Sequence, residues 1–95
     1  MRVQAELRRR LETELRPEHL VIEDQSARHA GHAGARPAGE THFRVELVSA
    51  LFAGRSRIDR QRLVYRAAGD LLQTDIHALS ITALAPGEPG VPMGA

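Results

Sequence analysis

Transition-metal chemistry in this 95-residue sequence would draw on its five histidines and its carboxylates, because cysteine is absent. His29 and His32 stand three residues apart in a run of Gly, Ala, Arg and Pro, while His19, His42 and His77 lie singly in apolar or alternating stretches. Two imidazoles alone hold a mononuclear ion weakly, so a metal group here is expected to rest on His, carboxylates or the thiols of another molecule. Asp24, Ser26 and His29 are the residue types of a hydrolytic triad. Three groups within one short loop are not held by separate rigid elements as that chemistry needs, so catalysis is not expected. Ser26 suits a local side-chain to backbone bond instead.

The other chemistry-bearing set is basic. All 13 basic residues are arginine, and the segment from Arg55 to Arg66 holds five of them against one acid, Asp59. Arg55, Arg57, Arg62 and Arg66 are the candidates for phosphate contact through guanidinium groups. The plainer reading of the same residues is a solvated face on which Asp59 pairs with Arg62. Gly31 to Gly34 has the G-x-x-G form with which some domains clamp a nucleic-acid backbone, but it lies between two strands rather than two helices.

The elements that must position these residues follow from periodicity. Val3, Leu7, Leu11 and Leu15 recur every fourth position and predict a helix over 2–15, with Glu6 and Arg10, Arg8 and Glu12, and Arg10 and Glu14 spaced for pairing on its other faces. Pro17 stops it, and residues 19–23 read as a short branched strand. The stretch 24–40 is a long loop without apolar period. Phe43, Val45 and Leu47 alternate with His42, Arg44 and Glu46 as a half-buried strand. Ser56 then caps a second helix, with Asp59 completing a capping box. On a helical wheel Ile58, Gln61, Val64, Tyr65 and Ala68 share the inward arc, and Asp59, Arg62 and Arg66 the outward one, which leaves no stacking aromatic beside the arginines. A short helix over 70–74 follows, and residues 76–84 predict a third strand in which His77 shares parity with Leu79 and Ile81. On the residues alone His77 is either a partly buried histidine bonded to backbone or a ligand. His42 and His19 read as surface residues.

The expected architecture is α+β, a single domain in the order α-β-β-α-α-β with helices on one face of a three-stranded sheet. Residues 1–84 form the domain, and residues 85–95, with three Pro and three Gly, are expected to be a disordered tail. Neither a signal-like apolar region nor an 18-residue apolar run is present, and a soluble cytoplasmic protein is expected. A net charge of +1 gives little global attraction to nucleic acid.

Four blocks carry a family resemblance: Asp24, Gln25 and Ser26 followed by His29; Thr41, His42 and Phe43; Phe52 and Gly54 followed by the run 60–65; and the run 76–81 containing His77. In this order and spacing the sequence resembles the BolA family from about Arg2 to Thr82. The resemblance implies a fold similar to type II KH domains. It also implies a non-enzymatic partner of monothiol glutaredoxins that shares a [2Fe-2S] cluster for iron-sulfur trafficking or iron sensing. The cluster ligands implied are His77 and His29, with His32 as the alternative in the loop, and the glutaredoxin cysteine and glutathione supply the thiolates. The alternative role implied is a DNA-binding transcriptional regulator linked to stress and cell shape, for which Arg55, Arg57, Arg62 and Arg66 are the candidates. The sequence departs from the family at Gln61, where histidine is usual.

Overall fold

The computed structural model describes residues 2–25 and 42–89; most of the long loop and the last six residues lie outside the described part. The chain runs α1 (Arg2–Leu15), β1 (His19–Asp24), β2 (His42–Val48), a 3-10 turn (Ala50–Phe52), α2 (Arg57–Ala68), α3 (Leu71–Thr74) and β3 (Ala78–Leu84). The sheet order is β1-β2-β3, with β1 antiparallel and β3 parallel to the central β2. A parallel neighbour requires a crossover, and α2 with α3 supplies it. The expected α+β order is therefore the observed one.

The core lies between the sheet and the helices. Leu7, Leu11 and Leu15 of α1, Phe43, Val45 and Leu47 of β2, Phe52, and Val64, Ala67 and Ala68 of α2 are all buried in it. Helix α1 ends where Arg16 takes a positive φ of 45°, the usual left-handed exit from a helix, and Pro17 prevents its continuation. Ser49 ties this end to the rest: its Oγ donates to the Leu15 carbonyl (2.6 Å) and accepts from the Leu51 N–H (3.2 Å). Ser56 caps α2 by accepting from the Asp59 N–H at 3.1 Å.

Three expectations need correction. Ile58 and Tyr65 do not face the core; they are 61% and 43% exposed, because the buried arc of α2 centres on Val64 and contains Ala67, Ala68 and the half-buried Arg60 and Gln61. Strand β3 starts at Ala78 rather than Ile76: Ile76 is buried and its N–H closes the end of α3 on the Leu71 carbonyl (2.8 Å). The predicted tail begins too early, since Ala85 is buried and Glu88 pairs with Arg60 at 2.6 Å. Residues 90–95 are outside the described part.

Candidate functional site

The chain reaches the site through α3. The Asp75 and Ile76 N–H groups both donate to the Leu71 carbonyl (3.0 and 2.8 Å), which closes the helix and sinks Ile76 into the core. The next residue, His77, is thereby held at the rim as the chain turns into β3, and its side chain is exposed. Of the two alternatives read for His77, the partly buried one does not occur, because the residue precedes the strand whose parity it was read to share.

Parallel pairing brings a second imidazole to it. His42 opens β2 opposite Ala78, and the two rings meet edge to face, with centroids 6.1 Å apart and planes at 73°. Sequence reasoning missed this pairing, since the two residues are far apart in the chain and only the β2–β3 register joins them. The same end of the sheet anchors the loop: the Gln25 N–H donates to the His42 carbonyl (2.7 Å), and Asp24 pairs with Phe43. His29 and His32 belong to this loop and lie outside the described residues. Both points from which the loop departs nevertheless sit at the His77 end of the sheet. No group of three potential metal ligands occurs among the described residues. His19 is at the opposite end of the sheet, paired with Val48, and its Nε2 is buried without a hydrogen-bond partner among the described residues.

The arginines divide by what they touch. Arg62 is exposed and 3.6 Å from Asp59, the spacing read from sequence. Arg55 donates through Nε to the Leu51 carbonyl (2.9 Å), and Arg57 and Arg66 are exposed and make no ion pair among the described residues. Tyr65 and Ile58 stand on the same solvent side of α2 as Arg62, so the surface that seemed to lack an aromatic has one. Arg60, which sequence reasoning passed over, is the most embedded: its side chain is 11% exposed and grips both carboxylate oxygens of Glu88 (2.6 and 2.8 Å). The Arg60 guanidinium beside it, and then the Ala85 N–H, hold the Glu88 carboxyl down at about 2. On α1, the Glu6 carboxyl is likewise lowered to about 2 by hydrogen bonds from Arg9 and Arg10. Arg10 does not turn to Glu14 as its spacing allowed; it crosses to the Ala68 carbonyl (2.8 Å) and Asp70 (2.7 Å).

The structure is a helix-covered, three-stranded mixed sheet with two imidazoles in contact at the head of its parallel strands, and no described helix is long and apolar enough to cross a membrane. The family model for BolA-like protein matches residues 11–88, and the chain belongs to the BolA family. It is 49% identical over 84 residues to the Arabidopsis thaliana protein BOLA1, chloroplastic, covering 86% of this chain and 52% of that one. It is 46% identical over 86 residues to the chloroplastic/mitochondrial SufE-like protein 1 of the same plant, covering 86% of this chain and 23% of that one. This chain thus spans about half or less of these two relatives. The solved structure of Arabidopsis BolA1 superposes with a TM-score of 0.79 at 41% identity, over 93% of this chain and 96% of that one. That of mouse BolA1 gives 0.75 at 38% identity, over 90% and 67%.

Proposed function

We propose that this protein is a non-enzymatic partner of a monothiol glutaredoxin, with which it shares a [2Fe-2S] cluster for iron-sulfur trafficking or iron sensing. The observation that carries the reading is that an exposed imidazole, His77, stands at the end of the sheet where both ends of the histidine-bearing loop are anchored. The donor set fits a cluster completed by another molecule, since the chain brings imidazoles and no thiolate. His77 would be the ligand from the folded rim, and His29, or His32 in its place, the ligand from the loop. Bound there, the cluster would bring one-electron chemistry at a potential raised by histidine ligation. The chain's own part is to fix one imidazole: Ile76 anchors it from behind and the His42 ring meets it from the side.

The test is anaerobic visible circular dichroism of the chain mixed with a monothiol glutaredoxin, glutathione, iron and sulfide. A spectrum distinct from that of the glutaredoxin alone, lost in His77→Ala and kept in Arg62→Ala, is the expected result. An unchanged glutaredoxin spectrum would sink the reading.

A second reading has one observation in its favour. Tyr65, exposed in the same stripe as Arg62, supplies the stacking group that nucleic-acid contact through α2 would use. Binding of a labelled DNA duplex that weakens steeply with salt, and further with Arg62→Ala, would support it; salt-independent or absent binding would exclude it.

A further inference from the structure

Strand β3 is an edge of the sheet, with β2 on one side and no strand on the other among the described residues. Main-chain groups alternate in direction along a strand. The Leu84 carbonyl accepts the Ser49 N–H (3.0 Å) on the β2 side, so the main-chain groups of Leu79, Ile81 and Ala83 face outward. Arg60 bears this out by donating from Nη1 to the Ala83 carbonyl at 3.1 Å. That guanidinium blunts the last outward carbonyl and leaves the edge from Leu79 to the Ala83 N–H unpaired by any described strand.

Beside this edge a cleft of about 350 Å³ opens between the second half of β3 and the first half of α2. Ile81 and Ala83 are among its apolar lining, and Arg55, Arg57 and Arg60 form its basic rim. The rim already captures one carboxylate, since Glu88 lies on Arg60 and accepts from the Ala85 N–H at 2.8 Å. Among the described residues Arg57 has no carboxylate and the Arg55 side chain donates to the Leu51 carbonyl alone.

We propose that this cleft docks an extended acidic segment of a partner protein, which adds along the outer edge of β3 and places a carboxylate on Arg57. An open strand edge rewards a peptide main chain, an apolar floor rewards alternate side chains, and the guanidinium forks select acids. A phosphate backbone would use the arginines and leave the strand edge and floor idle. The cleft and its arginines lie toward the end of β3 away from His77, in a seven-residue strand about 20 Å long, while the outward edge itself starts at Leu79, two residues from that histidine. The proposal is argued from the edge, the floor and the arginines, without the cluster.

The probe is the acetylated, amidated peptide Glu-Val-Glu-Val-Glu-Val-Glu, titrated to millimolar concentration into the isotope-labelled full chain and followed by amide NMR and hydrogen exchange. The Leu79, Ile81 and Ala83 amides are expected to shift and gain protection. Affinity should fall about tenfold in Arg57→Glu, and the Lys-for-Glu peptide and a peptide N-methylated at alternate residues should leave these amides unmoved. Arg57 is exposed in the first turn of α2, where an acid suits the helix dipole, so that variant keeps its fold. Absence of shifts, or shifts confined to arginine side chains without protection in β3, would overturn the proposal. So would a single-stranded oligonucleotide that moves the β3 amides when the peptide does not.

Discussion

Arg60 and Glu88 join α2 to the chain leaving β3, and their ion pair has a defined pH dependence. The Glu88 carboxyl is held at about 2 against an ordinary 4.5, so its contribution is complete above about 4.5 and is lost as the pH falls toward about 2. Acidification through that window should release residues 85–89, seen as loss of exchange protection at the Ala85 amide, and Glu88→Gln should release them already at neutral pH. Glu6 titrates in the same range, and because it sits on α1 the variant at Glu88 separates the two. The pair was not legible in the sequence. Glu88 stands in a Pro/Gly stretch whose composition says only that no element forms there, and nothing local marks which of five clustered arginines meets a carboxylate 28 positions on. His77 was legible as a residue through its family block, but its exposure and its contact with His42 arise from a chain turn and a parallel register that no single stretch encodes. As an exposed rim residue it should tolerate His77→Ala with a melting temperature unchanged to within about 2 °C, so loss of a shared-cluster spectrum in that variant would not be a folding defect.

Among the elements, α2 shows how a wheel goes astray. Scoring Ile58 and Tyr65 as apolar and Arg60 as polar turns the helix well away from its real setting, with Val64 innermost. Arg60 can face inward because Glu88 and the Ala83 carbonyl satisfy it, and Ala67 and Ala68 on the same arc leave room for close packing. Ile58→Asn should then cost within about 0.5 kcal/mol, whereas Val64→Ala should cost about 1–3 kcal/mol, both measured by urea unfolding. At the end of the helix Gly69 holds φ 62° and ψ −134°, and a Cβ there would stand 3.0 Å from Arg10 Nη1. Gly69→Ala should cost about 1–3 kcal/mol for that backbone alone. Ser49→Ala strands the buried Leu15 carbonyl and frees the part-buried Leu51 N–H, at a similar cost of about 1–3 kcal/mol. The strands and α1 were legible because alternation and the four-residue repeat are each carried by apolar residues with no competing partner.

Taken whole, the molecule hangs its fold on β2, which touches both other strands, while the loop between β1 and β2 carries candidate ligands without carrying the register. Replacing residues 27–40 with a short Gly/Ser linker should keep the cooperative thermal transition, since loop closure costs only about 0.6 kcal/mol per doubling of length, and should abolish the shared-cluster spectrum with His29 and His32 gone. The parallel β2–β3 pair has one further consequence, in time rather than in space. As the chain emerges from the ribosome, α1, β1, β2 and α2 are all made before β3, yet His77 has no ring beside it until β3 settles against β2. The imidazole pair thus forms only once β3 is in place, and a nascent or truncated chain lacking β3 has no paired imidazoles at that end of the sheet.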